Sequence, residues 1–161
     1  MLTLVGSISF AQDKHKEKVY STIHHYRSNI SVNNFDGTRS TIFINGNTAT
    51  LSNADGTEST LEIFGQSSTV IAVDGTRSTI IHNGMTTTIL NSDGSELTIN
   101  HMNNRSTCST PYGKHTIRHI FGNMKERRFK EEIDILVHTN WFVRKRASES
   151  LTEHDVSVKP N

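Results

Sequence analysis

Aliphatic residues return along this chain with a constant spacing. Ile23, Ile42, Leu61, Ile80 and Ile99 form one column, and Val32, Leu51, Val70, Ile89 and Cys108 form a second; neighbours within each lie 19 positions apart. Around each member, apolar and polar residues alternate, as in Ser40-Thr41-Ile42-Phe43-Ile44, which is the pattern of a strand with one buried face. Each 19-residue unit therefore reads as two short strands, and the two columns as the core. A further copy of the first column, His115-Thr116-Ile117, arrives one residue early and marks a deletion.

Between the strands stand turn signals. DGTRSTI begins at Asp36, DGTESTL at Asp55, DGTRSTI at Asp74 and DGSELTI at Asp93, while Asn45-Gly46 and Asn83-Gly84 divide two of the units. Two architectures satisfy this punctuation. In a β-solenoid, each unit is one coil and equivalent residues stack on adjacent strands. In a single-layer antiparallel meander, each unit is a hairpin and equivalent residues lie two strands apart. The Asn-Gly pairs favour hairpins. The alternating signs of Arg39, Glu58, Arg77 and Glu96 favour the solenoid, because opposite charges on adjacent strands attract. The expectation is an all-β repeat solenoid, with the meander as the alternative.

Four segments are expected: a truncated signal peptide over 1–11, the β-repeat domain over 17–122, a C-terminal cap over 123–146 and a flexible tail over 147–161. Leu2 to Phe10 is apolar, and Ser9 and Ala11 place small residues before a break at Gln12, as at a secretory cleavage site. The cap has two readings. Asn123 with Glu126 has capping-box spacing, and Phe129, Ile133, Leu136 and Val137 share a helical face, whereas Ile133, Ile135 and Val137 alternate as in a hairpin strand. We expect a helix covering the open end of the stack, which would otherwise invite strand addition.

Composition narrows the function classes. Hydrophobic residues make up 33% of the 161, and the net charge of +1 gives no field that argues for nucleic acid or an anionic membrane. The charge is divided, however: residues 36–111 are acidic on balance, while 112–161 are basic and include the run Arg144-Lys145-Arg146. Cys108 is the single cysteine, which excludes an intrachain disulfide and a cysteine metal cluster. No segment has the length and apolarity of a transmembrane helix. There is no G-x-S-x-G, H-E-x-x-H, P-loop or dinucleotide fingerprint, so no enzyme and no cofactor is expected.

In period and residue class, the array over 17–122 resembles secreted repeat β-proteins such as filamentous-haemagglutinin-type adhesins and curli-type fibre subunits, although the Q-x-G-x-x-N spacing of the latter is absent. The resemblance implies a secreted or cell-surface structural or adhesive role, with self-association or contact with glycans. Three columns carry the candidate chemistry. Thr48, Thr50, Ser67, Thr69, Thr86 and Thr88 form a Thr-x-Thr series similar to the ice-binding face of some antifreeze solenoids. His82, His101 and His119, with His25, occupy one column that could hold zinc or copper. Asp36, Asp55, Asp74 and Asp93 form a third, which we read as turn caps rather than a calcium site.

Overall fold

Asp-Gly turns and Asn-Gly turns alternate along the repeat, and both reverse the chain. Gly46 and Gly84 have φ of 59° and 62°, the left-handed values that a two-residue hairpin loop requires. A computed structural model describes residues 19–26, 29–64, 67–121 and 129–157. The signal peptide and the Asn123–Glu126 capping box both lie outside these residues.

The strands are β1 (Val19–Tyr26), β2 (Asn29–Asn33), β3 (Arg39–Asn45), β4 (Thr48–Asn53), β5 (Glu58–Phe64), β6 (Ser67–Ile71), β7 (Arg77–Asn83), β8 (Thr86–Asn91), β9 (Glu96–His101), β10 (Arg105–Thr110) and β11 (Gly113–Ile120). Each pairs antiparallel with the next, and the meander closes into a barrel by a parallel β1–β11 seam, Val19 opposite His115 and Ile23 opposite His119. With an odd number of strands all running up and down, one parallel seam is unavoidable.

The solenoid expectation is corrected. Ile42 faces Leu51 across β3–β4, and Leu61 faces Val70 across β5–β6. Equivalent repeat residues are thus two strands apart, roughly 9–10 Å at the usual strand spacing. The alternating charges do not pair with one another: Glu58 accepts from the Ser52 hydroxyl at 2.9 Å, and the Arg39 side chain donates to Asn33 at 3.4 Å.

Both aliphatic columns point inward and are buried. Cys108 belongs to them: it lies opposite Ile99, and burial pushes its thiol up to about 12, which makes it an inert packing group. A serine precedes four of the five first-column aliphatics by two residues and also points inward, whereas Leu97 stands before Ile99. Ser40 donates to Asn53 at 2.9 Å and Ser78 donates to Asn91. The equivalent partner of Ser59 is Ala72, and the Ser59 hydroxyl has no hydrogen-bond partner.

The C-terminal segment is a helix, α1 (Lys130–Ser157), and it runs on into the stretch expected to be a tail. It does not cover an open end. Every residue from 133 to 143 is buried, and α1 contacts β4, β5, β9, β10 and β11, so it threads the barrel. Over this stretch α1 is buried on every side, with Asp134, His138, Thr139 and Asn140 among its apolar residues, and an eleven-strand barrel is wide enough to hold such a helix. The Phe129 carbonyl accepts the first helical bond, from Ile133 N–H at 2.9 Å. No described helix is long and apolar enough to cross a membrane.

Candidate functional site

The helix carries polar side chains into the lumen, and the strands present matching ones. Near the Asn-Gly end, Asp134 accepts from His101 Nδ1 at 2.9 Å with one oxygen and from His119 Nε2 with the other. His101 Nε2 meets the Thr87 hydroxyl at 2.8 Å, and His119 Nδ1 meets His25 Nε2 at 3.0 Å. One proton assignment satisfies the chain: both inner rings donate to an ionised Asp134, while Thr87 and His25 donate to them. Lys130 Nζ, at 3.6 Å, supplies a compensating positive charge, and donates to the Met102 carbonyl at 2.7 Å. Burial would raise the Asp134 carboxyl, but the hydrogen bonds from His101 and His119 outweigh it and hold it well below the usual carboxylate range.

One turn further along α1 lies a second chain. His138 Nε2 meets Ser106 Oγ, His138 Nδ1 meets His115 Nδ1, and His115 Nε2 meets Ser21 Oγ, each at 2.8 Å. Trp141 stacks on His115 at 4.7 Å. Beyond it, the side-chain amides of Asn140 and Asn53 exchange two hydrogen bonds of 3.0 Å.

At the Asp-Gly end, the acidic column meets the basic run. The Oδ1 atoms of Asp36, Asp55, Asp74 and Asp93 accept from the backbone N–H of Thr38, Thr57, Thr76 and Ser95 at 2.9–3.0 Å, the turn-capping role expected of them. The other oxygens of three of them face α1: Arg144 bridges to Asp55 at 3.2 Å, and Arg146 bridges to Asp74 at 3.1 Å and to Asp93. All four carboxyls are held below their ordinary value; at Asp55 and Asp93 the leading cause is the hydrogen bond from the following Thr or Ser side chain. These bridges are half-exposed, so Arg146→Ala is expected to cost only about 0.5–1 kcal/mol, and less at high salt. Urea midpoints at low and high salt would check this.

The sequence candidates separate. His101 and His119 converge on Asp134, and His25 joins them. His82 stays at the rim, 3.3 Å from the Thr87 hydroxyl and 3.9 Å from Glu131. Both ring nitrogens of His101 and of His119 are already engaged, and among the described residues no three His, Cys, Asp or Glu side chains are arranged to hold one ion. Thr48, Thr50, Thr69, Thr86 and Thr88 are partly exposed on β4, β6 and β8, with Ser67 opening β6. Strands β5 and β7 stand between those rungs, and the wall curves full circle, so no flat Thr-x-Thr array forms. Sequence reasoning missed His115, Asp134 and His138. Asp134 and His138 carried a signal, since polar residues inside an otherwise apolar helical stretch require polar partners; His115 lies on β11.

Geometrically, Thr87, His101 and Asp134 have the order of a nucleophile, base and orienting carboxylate. Thr87 is sealed, however, at 1% exposure. A cleft of about 460 Å³ at the Asn-Gly rim, between Met85, Met102 and Lys130, reaches His101 but not Thr87. The arrangement clasps the helix, and of these three residues the cleft reaches His101 alone. No family model, curated protein or solved structure matches the chain.

Proposed function

We propose that this is a secreted or cell-surface, non-enzymatic β-repeat protein with a structural or adhesive role, acting through its outer wall and rims. The observation that carries the reading is the filled lumen. Residues 133–143 of α1 occupy the barrel, and most of the polar side chains that they and the strands carry inward are bonded to one another. What remains for binding is outside. The outer wall repeats threonine pairs on neighbouring strands, Thr50 opposite Thr60, Thr69 opposite Thr79 and Thr88 opposite Thr98. These outward threonines, with Arg39, Glu58, Glu62 and Arg77, would be costly or unrewarded against lipid.

Barrel closure also bears on mechanism. A closed sheet has no unpaired edge for a second copy to extend, so contact with a surface or glycan is favoured over end-to-end strand addition. The metal-binding and ice-binding readings draw less support, because the inner histidines are committed and the threonine rungs are interrupted. Expression of the full chain, with cell fractionation and N-terminal sequencing, is expected to find the mature protein outside the cytoplasm and starting at Gln12. The mature protein is then expected to be retained on immobilised cell-surface polysaccharide. A cytoplasmic, uncleaved protein would remove the secretory half of the proposal, and absence of retention would remove the adhesive half.

A further inference from the structure

The two ends of the barrel leave different side chains at the surface. Among the described residues ten large apolar side chains are exposed, and seven of them gather at the Asn-Gly end: Tyr26, Phe43, Ile81, Met85, Met102, Ile120 and Phe129. Tyr20, Phe35 and Leu90 are the other three. Scattered apolar side chains are ordinary on a protein surface, but a one-sided collection marks a place of contact. Charge in the turns runs the opposite way. Asp36, Asp55, Asp74 and Asp93 stand in the turns of the Asp-Gly end, whereas the described turns of the Asn-Gly end, 46–47, 84–85 and 102–104, carry no charge.

The shape of this collection identifies what covers it. Tyr26 and Ile120 stand at the β1–β11 seam, while Ile81 and Met85 stand on β7 and the turn after it, across the barrel from the seam. A peptide in a groove would not touch both sides, so the occupant is broad. The residues also differ in height. Met85 and Met102 lie in the turns, whereas Phe43 and Ile81 point sideways from the outer wall, two residues short of the strand ends Asn45 and Asn83 and so about 7 Å below them. A rigid flat partner resting on the turns would leave Phe43 and Ile81 uncovered. A fluid layer into which the rim sinks covers both sets, and about 5–10 Å is the depth to which interfacial apolar groups enter a bilayer.

We infer that the Asn-Gly rim docks on a lipid surface, and that the lipid is zwitterionic. The charged groups near this rim are of both signs, Glu62, Glu131 and Glu132 with Arg105 and Lys130. They match a headgroup layer that bears both an ammonium and a phosphate, and they supply no basic excess to seek an anionic layer. Contact is shallow, because Arg39, Glu58 and Arg77 keep the other half of the outer wall in water. Glu62 shares the level of Phe43 and Ile81, where the cost of a charge beside lipid has fallen close to its value at the interface. The inference goes beyond the adhesive reading and does not rest on it, since plain vesicles carry no polysaccharide.

The mature protein would be floated on a density gradient with phosphatidylcholine vesicles at low and high salt, and run in sedimentation equilibrium without lipid. It is expected to float with the vesicles at both salts. Met85→Ser with Met102→Ser, and Phe43→Thr with Ile81→Thr, are each expected to weaken partitioning about tenfold or more, while Phe35→Ser at the opposite end leaves it unchanged. Thr41 and Thr79 already occupy outward positions on the same strands, so the threonine pair is expected to keep its urea midpoint. Absence of flotation, flotation that needs anionic phosphatidylglycerol and is lost in high salt, or equal weakening by Phe35→Ser would overturn the inference. A lipid-free dimer abolished by the same two pairs of substitutions, without flotation, would overturn it in favour of a second copy on the rim.

Discussion

A chain that ends at residue 128 is expected not to fold. It would keep all eleven strands and every repeat signal, and lose only the segment containing α1. That helix buries Ile133, Ile135, Leu136, Val137, Trp141, Phe142 and Val143. At about 1.5–3 kcal/mol for each such side chain, the loss is on the order of 10–20 kcal/mol, which matches or exceeds the ~5–15 kcal/mol by which ordinary domains are stable. The inward aliphatics of the strands would also face an empty lumen, and barrels of this width do not collapse onto themselves. Urea unfolding followed by circular dichroism should show no cooperative transition for the truncated chain. Adding a synthetic peptide of residues 129–157 should restore β signal, because the strands are competent once they have something to close around. A truncated chain with a sharp transition of its own would show that the barrel stands without its helix.

This dependence explains what could and could not be read from the repeat. The two aliphatic columns, the inward serines and the Asp-Gly turn caps are local, and each follows from alternation and turn chemistry within a single unit. Hairpin against solenoid was nearly balanced in the sequence. The Asn-Gly pairs pointed to the right answer, but the alternating Arg39, Glu58, Arg77 and Glu96 pointed away from it. That charge series has no electrostatic partner series; its members bond to the strand between, as Glu58 does to Ser52. Closure was not legible, because nothing within one hairpin states how many hairpins complete a circle.

The helix was misplaced for a related reason. Ile133, Ile135 and Val137 look like a strand because the helix is buried on every side, so its apolar residues follow no single 3.6-residue stripe. The acidic column and the Arg144-Lys145-Arg146 run were each visible as a turn series and a basic tail. Their meeting depends on α1 crossing the whole barrel to emerge at the Asp-Gly end. Likewise, His101 and His119 shared a visible column, but Asp134, which unites them, comes from outside the repeat.

Acid is expected to undo this barrel before its carboxylates protonate. Burial pushes His138 from 6.5 down to about 3, with Asp134 opposing and His101 and His119 adding to the shift. Burial and the neighbouring His119 push His25 down to about 4, again against Asp134, and burial with His138 holds His115 well below its ordinary value. For each of these rings, the unfolded chain takes up a proton at a pH where the folded chain does not. Stability is therefore fully present above about 6.5 and falls as the pH drops toward the folded values. Asp134 is also held low, but by hydrogen bonds from His101 and His119 that outweigh burial, so its contribution persists above about 3.9 and is lost only below it. Between those limits the histidines decide. At about pH 4.5, His138 alone should cost roughly 2–3 kcal/mol, and His25 and His115 act in the same direction. Urea midpoints should fall steeply between about pH 7 and pH 4.5, with the slope against denaturant unchanged. His138→Gln keeps an amide in reach of Ser106 and His115 but cannot be protonated. It should lower the midpoint at neutral pH and flatten its dependence on acid. Because the comparison is between slopes in pH, a general loss of packing in the variant cancels. Equal pH slopes for the two proteins, or a midpoint that does not move with acid, would mean that the buried rings are already charged, and that the neutral hydrogen-bonded chain around His138 is not what holds the helix in the barrel.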